Sequence, residues 1–125
     1  PGQRHGPRSN RQALMKPLPE RWLSADACMP AGVRAFMTTR EGGTSAGPWG
    51  AAGGAAGGMN VGEHCGDDPD AVRHNRALLD RHLPASPRWL AQVHGAAVHD
   101  ADSAAGGAVP PRADAVVSAR AGTVC

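Results

Sequence analysis

The histidine at position 94 is the side chain in this sequence that is best placed for metal chemistry. It ends a segment with strand-like alternation, residues 88–94, in which Gln92 shares its face. Gly95 follows and allows a ligand or another segment to come close. At a strand end, an imidazole can offer one ring nitrogen to a metal ion while a backbone carbonyl fixes the other. A hydrogen-bonded or surface histidine, the commoner role of a lone histidine, is the alternative.

His64 and Cys65 are a second pair of metal-ligand types. Adjacent residues of an extended segment point to opposite sides, so they rarely bind the same ion. We therefore expect one of the two side chains to be buried and the other exposed, just before a helix begins.

Arg40 and Asn60 could contact an anionic or polar ligand. Arg40 precedes Gly42-Gly43, and a cation beside backbone N–H groups suits phosphate, although a charged residue next to a turn is the simpler alternative. Asn60 can hydrogen-bond a ligand or close a local turn, and its immediate neighbours favour the turn. Arg112 and Asp114 are expected to pair with each other or to face solvent.

The clearest element that could position these residues is a helix starting at Asp67-Asp68-Pro69, with an aspartate cap before a proline, and ending before Pro84. Its predicted apolar stripe consists of Ala71, Val72, Leu78, Leu79 and Leu83. The charged residues predicted to face water are Arg73, Arg76, Asp80 and Arg81.

Short strands are predicted at 33–39, 88–94, 96–100 and 113–118. Val33, Ala35 and Met37 would share one face of the first, which residues 40–43 would end. The tandem AAGG repeat at 51–58 predicts a flexible loop with little side-chain area to bury. The pattern indicates a mixed α/β fold in which strands outnumber helices.

Composition limits the size of the core and the classes of function. The 125 residues include 17 glycines and 11 prolines, and only 3% are aromatic, so we expect a fragment or a chain that depends on a partner. Residues 1–19 predict a basic, disordered leader. They contain no apolar run that would serve as a secretory signal or membrane span. A nucleic-acid-binding tail is an alternative, but neither aromatic residues nor a fold motif support it.

The three cysteines, Cys28, Cys65 and Cys125, have an odd count and no CxxC spacing. This pattern argues against a disulfide framework and favours a reducing, cytoplasmic location. We expect Cys125 to be a buried strand residue.

Several blocks of sequence carry a family resemblance. They are TTREGGTS at 38–45, GPW at 47–49, NVGEHCGDDP at 60–69, NR at 75–76, WLAQVHG at 89–95, RADA at 112–115 and AGTV at 121–124. In this order they resemble the N-terminal half of the laccase-domain, or polyphenol-oxidase-type, family. The resemblance covers residues 20–125, which we interpret as the N-terminal part of that domain.

The resemblance implies an α/β (α+β) fold, with a mixed sheet layered with helices. It also implies a zinc-dependent purine nucleoside phosphorylase acting on adenosine, inosine and methylthioadenosine with phosphate, some members also deaminating adenosine. The family's metal ligands are a histidine in a QVHG block, a cysteine in an ADC block and a histidine in an HAGWRG block. Only the first block occurs here, so His94 becomes the metal ligand, and Arg40 and Asn60 become substrate-binding residues. Copper is the metal that the family's older name suggests.

Two features of this sequence depart from the family's pattern and bear on the expected activity. The sequence ends at Cys125, before the other two ligand blocks, so we expect this chain to need the C-terminal half of the domain for activity. The AAGG repeat lengthens a loop near the expected substrate pocket. The alternatives are a noncatalytic metal-binding or interaction fragment, and a copper-dependent polyphenol oxidase, which the absence of any HxH pair disfavours. Neither a membrane nor a nucleic acid is an expected partner.

Overall fold

The computed structural model describes residues 16–103 and 109–125. It confirms a mixed α/β architecture with small sheets and one helix in the described residues. Most of the predicted leader, 1–19, lies outside these residues. The elements are β1 (Leu23–Ser24), β2 (Phe36–Met37), β3 (Glu41–Ser45), α1 (Pro69–Asp80), β4 (Val98–Asp100) and β5 (Ala115–Val117), with 3-10 turns at Asp26–Cys28, Gly47–Trp49 and Ala52–Gly54.

Helix α1 starts as its capping sequence predicts. The Asp68 carboxylate accepts a hydrogen bond from the backbone N–H of Asp70 at 3.0 Å, and Pro69 is the first helical residue. Val72 and Leu79 are buried, as the apolar stripe requires. The regular helix ends at Asp80, somewhat before the Pro84 boundary that the sequence predicts.

Arg76 was expected to face water, and this expectation is wrong. Its guanidinium lies 3.9 Å above the ring of Trp89, and its Nε donates to the carbonyl oxygen of Val61 at 2.8 Å. A salt bridge of 2.6 Å joins it to Glu63. Helical periodicity identifies the exposed side of a helix but not the reach of a long side chain, which can cover an aromatic ring while its charge stays partly solvated.

The core is built around Trp22, Met59 and Leu79. Strand β2 pairs antiparallel with β1, and Phe36 stacks on Trp22 with ring centroids 5.4 Å apart. Val33 and Met37, which were predicted to share one face of strand 33–39, are both exposed, at 51% and 61%, and the strand itself comprises only Phe36–Met37. Burial of the larger aromatic ring of Phe36 outweighs burial of the two aliphatic side chains on the alternate face.

Residues 40–43 were predicted to end the strand, and β2 does end before them, at Met37, but Glu41, Gly42 and Gly43 begin a new strand, β3, which the sequence did not predict. The backbone N–H groups of Gly42 and Gly43 both donate to the carbonyl oxygen of Gly57, at 2.9 and 3.1 Å. The N–H of Gly57 donates in turn to Ser45. The AAGG repeat is therefore tied to β3 through its last glycines, whereas the sequence predicted only a flexible loop.

Strands β4 and β5 form a parallel pair, with Val98 opposite Ala115 and Asp100 opposite Val117. They are shorter than predicted at 96–100 and 113–118. The predicted strand 88–94 is reduced to one parallel bridge between Ala91 and Arg112.

Large apolar side chains remain exposed on this parallel pair, namely those of Val98 in β4 and Val117 in β5, at 60% and 52%. Parallel strands are normally covered on both faces, so the described residues supply less core than this pair requires. This agrees with the expectation from composition. Among the described residues, no helix is long and apolar enough to cross a membrane.

Candidate functional site

Arg40 and Asn60, twenty positions apart in sequence, line one open cleft of about 210 Å³. Pro48, Trp49 and Met59 complete its wall. The two polar residues come together because the N–H of Met59 donates to the carbonyl oxygen of Arg40 at 2.7 Å, which closes the 41–58 segment into a loop. The cleft therefore combines an apolar wall with a cation and a carboxamide, a combination common in small-molecule sites.

The guanidinium of Arg40 is held by backbone carbonyls of the Gly47–Trp49 turn and its cap. Its Nε donates to Gly50 at 2.7 Å, and its Nη2 donates to Pro48 at 2.6 Å. Arginine carries further N–H donors, and these have no partner among the described residues. Arg40 thus supports the turn and retains further N–H donors beside the cleft.

The side chain of Asn60 closes a local turn, as its neighbours in sequence favour. Its Oδ1 accepts from the N–H of Gly62 at 3.0 Å, and its Nδ2 donates to Asp67 at 2.9 Å. Among the described residues, the one other hydrogen-bond partner of Oδ1 is a thiol, Cys65 Sγ, at 4.0 Å. A carbonyl oxygen has two acceptor positions, so Oδ1 is the atom of Asn60 that can accept from a ligand hydroxyl.

Asn75 holds this region together, and its role was missed in the sequence. It is 0% exposed on α1, and its Nδ2 donates to the carbonyl oxygens of Gly58 and Asn60, at 3.1 and 2.8 Å, and to Ser45 Oγ at 2.9 Å. Its Oδ1 accepts from the N–H of Thr44 at 2.9 Å. The sequence does indicate that Asn75 is buried, because it lies three positions from Val72 and four from Leu79, inside the apolar stripe.

Asp67 completes the same network. Its Oδ2 accepts from Asn60 Nδ2 at 2.9 Å and from Ser45 Oγ at 2.7 Å. The hydrogen bond from Asn60, followed by that from Ser45, holds the pKa of Asp67 below its ordinary value, although partial desolvation opposes the shift. The carboxylate thus connects β3 to the Asn60 turn.

The lowered pKa of Asp67 predicts an acid-dependent loss of stability. The contribution of Asp67 is fully present above its unfolded pKa, near 3.8, and is lost as the pH falls through the lower folded pKa. We expect urea unfolding midpoints to decrease over this acid range, with a smaller decrease for Asp67→Asn. Glu41→Gln, which removes an exposed carboxylate outside the network, is the control. An equal pH dependence for the wild type and Asp67→Asn would contradict the prediction.

His94 lies at a tight turn rather than at the end of a strand. It is exposed, and at φ = 55° it is the only non-glycine residue with positive φ in the described ranges. The carboxylate of Asp114 accepts from the N–H groups of Val93 and Gly95 on either side of it, at 3.1 and 3.0 Å. Asp114 therefore neither pairs with Arg112 nor simply faces solvent, in contrast to the expectation from sequence.

The environment of Asp114 favours its ionised form. Partial desolvation raises its pKa, but hydrogen bonds from the backbone N–H groups of Gly95, Val93, His94 and Ala97 together lower the pKa more. The net pKa is below the ordinary value, so the group is a charged acceptor at neutral pH. No pattern within a few residues of Asp114 indicates this role.

The described residues contain no group of three or more His, Cys, Asp or Glu side chains that could hold a metal ion. His94 is an exposed imidazole on a defined turn, which suits one ligand of a zinc site but does not complete one. His64 and Cys65 are both exposed, so the expectation of one buried and one exposed side chain is wrong. Cys125 is exposed as well, rather than buried in a strand.

Comparison with known proteins gives consistent results along most of the chain. Residues 34–125 match the family described as multi-copper polyphenol oxidoreductase laccase. A protein from Pseudomonas aeruginosa named purine nucleoside phosphorylase is 43% identical over 104 residues, which cover 83% of this chain and 38% of that protein. A protein of the same name from Escherichia coli K12 is 42% identical over 77% of this chain and 37% of its own length.

A solved structure supports the fold. The crystal structure of the Neisseria meningitidis protein NMB0706 superposes with a TM-score of 0.63 at 40% identity, over 79% of this chain and 37% of that one. The chain therefore spans a little over a third of the length of the curated relatives that it matches. The family match over residues 34–125 includes the segments that form the cleft and the His94 turn.

Proposed function

The chain belongs to the family described as multi-copper polyphenol oxidoreductase laccase, and from this premise we propose that it forms part of a zinc-dependent purine nucleoside phosphorylase. The observation that carries the proposal is the cleft in which Arg40 and Asn60 meet beside Trp49. The names of the relatives from Pseudomonas aeruginosa and Escherichia coli support the same activity. A reducing compartment such as the bacterial cytoplasm suits the three exposed free thiols.

The substrates are a purine nucleoside, such as adenosine, inosine or methylthioadenosine, and phosphate. In phosphorolysis a phosphate oxygen bonds to C1′ of the ribose, and the glycosidic bond breaks with departure of the base. The free donors of Arg40 are suited to phosphate or ribose oxygens, and the indole of Trp49 is suited to packing against a purine. Asn60 Oδ1 accepts a ribose hydroxyl in place of its long contact with the Cys65 thiol.

His94 contributes one zinc ligand in this proposal. When bound, zinc would supply a Lewis acid that polarises an oxygen of the reactants. Residues 1–125 alone are inactive in this proposal, because a single imidazole binds zinc weakly and without a defined geometry. Deamination of adenosine, and copper in place of zinc, are alternatives within the same proposal.

The decisive experiment uses the protein encoded by the complete reading frame that contains residues 1–125. We expect bound zinc and phosphate-dependent release of adenine from adenosine. Loss of the ligand in His94→Ala is expected to lower kcat/KM by more than about 100-fold. His74→Ala, which removes an exposed imidazole from α1, is the matched control and should leave kcat/KM unchanged. Full activity of His94→Ala, or of the metal-free protein, would contradict the proposal.

A second candidate, a noncatalytic interaction fragment, is favoured by the exposed Val98 and Val117 on the β4–β5 pair. Exposed apolar side chains on a two-stranded sheet invite association with another polypeptide. Concentration-dependent sedimentation of the 125-residue chain, without zinc binding or phosphorolysis by the complete protein, would favour this candidate.

A further inference from the structure

The turn at His94 requires a backbone conformation that the residue itself disfavours. In the left-handed region, the Cβ of an L-residue lies close to the following carbonyl oxygen, so only glycine adopts it without cost, although asparagine, aspartate and histidine occur there more often than other L-residues. His94 adopts φ = 55°, although the glycine that could adopt this conformation freely is its neighbour, Gly95. Contacts from elsewhere in the chain must therefore stabilise the turn.

Asp114 provides those contacts. Its Oδ1 accepts from the N–H of Val93 and its Oδ2 from the N–H of Gly95, so one carboxylate spans the residue between them. An ionised acceptor makes each of these hydrogen bonds stronger than a neutral one would be. Because neighbouring N–H groups converge on one anion, the backbone at His94 is kept in a tight curve.

The position of Asp114 is itself fixed by the backbone around it. The N–H of Asp114 donates to the carbonyl oxygen of Ala97 at 2.8 Å, and the preceding residue, Ala113, is 2% exposed. Ala113 also donates its N–H to Ala91 at 3.3 Å. The segment that carries the carboxylate is thus attached on both sides of the His94 turn, at Ala91 and at Ala97.

We propose that Asp114 is the positioning residue of His94: its carboxylate holds the left-handed turn from which the imidazole projects. This inference rests on the proposed function where it concerns zinc, but the hold on the turn does not depend on zinc. Asp114 acts through the backbone of residues 93–95 and does not touch the metal or the substrate.

The test compares Asp114→Asn with Asp102→Asn in the protein encoded by the complete reading frame. Asp102 is a matched control, because its carboxylate accepts from the N–H of Ala119 and the hydroxyl of Ser118, away from His94. Two quantities are measured, amide hydrogen exchange at Val93 and Gly95, and the zinc dissociation constant by competition with a chromophoric chelator. Retained slow exchange in α1 verifies that each variant is folded.

For Asp114→Asn we expect about tenfold faster exchange at Val93 and Gly95, and zinc affinity reduced by about 10-fold, the scale on which residues that orient a ligand act. Asp114→Glu keeps the charge but displaces it by one methylene. We expect its exchange at Val93 and Gly95, and its zinc affinity, to remain short of the wild-type values. If Val93 and Gly95 exchanged as slowly in Asp114→Asn as in Asp102→Asn, the positioning role would be overturned. Faster exchange in a protein whose wild type does not bind zinc would support the positioning role and refute the proposed metal site.

Discussion

Replacement of Asn75 by leucine is expected to lower the free energy of unfolding by about 3 kcal/mol or more, enough to prevent stable folding of a marginal domain. Leucine is similar in size, so the loss is not one of volume. It leaves the N–H of Thr44 and the carbonyl oxygens of Gly58 and Asn60 without the partners that Asn75 supplies. Each such group, once buried and unpaired, costs on the order of 1–3 kcal/mol.

The measurement is urea unfolding followed by tryptophan fluorescence, since Trp22 lies in the core. His74→Leu is the matched control, because it places the same side chain at an exposed position one residue away on α1, where we expect a change within about 0.5 kcal/mol. Equal stability of the two variants would show that the network around Asn75 contributes little. Asn75→Asp should also be destabilised, since a carboxylate has no donor for Gly58 and Asn60.

Replacement of Gly58 by alanine is expected to destabilise the chain by about 3 kcal/mol and to disrupt the cleft. A Cβ at Gly58 would clash with the carbonyl oxygen of Trp49 and lie 2.7 Å from the backbone of Gly50. These contacts are with backbone atoms, which no side-chain rotation can relieve. Because Trp49 and Met59 line the cleft, moving the two segments apart also changes the cleft's shape.

The matched control for Gly58→Ala is Gly95→Ala. There the new Cβ would meet only Asp114 Oδ2, at 3.5 Å, which is an ordinary van der Waals contact. We expect thermal unfolding to show a large decrease in Tm for Gly58→Ala and a small one for Gly95→Ala. Comparable values for both variants would refute the close approach of the two backbones at Gly58.

These two predictions have a common structural basis. Asn75 binds the carbonyl oxygen of Gly58 from the helix side, and the Trp49 backbone covers Gly58 from the loop side. Met59 lies between Gly58 and Asn60 in the sequence, and its side chain belongs to the core and also lines the cleft. Stability and the shape of the candidate substrate site are therefore determined by the same contacts.

The sequence by itself determined the features that depend on near neighbours. Asp68 and Pro69 specified the start of α1, because a cap and the residue that it precedes are adjacent in the chain. Alternation placed strands within 96–100 and 113–118, where β4 and β5 lie. The order of the motifs identified the family that residues 34–125 match. The site roles of Arg40, Asn60 and His94 remain predictions from that resemblance.

Only the tertiary structure decided which groups meet across the chain. Glycines at 42 and 43 signal a break, yet they belong to β3, because Gly57 satisfies their N–H groups. Asn75 pairs with the N–H of Thr44, a residue 31 positions away, and Asp114 binds the turn around His94. Capping and hydrophobic periodicity depend on residues only a few positions apart, so the sequence reveals them. The polar groups of Asn75 and Asp114 find their hydrogen-bond partners on backbone segments that are distant in sequence, and only folding brings these segments close.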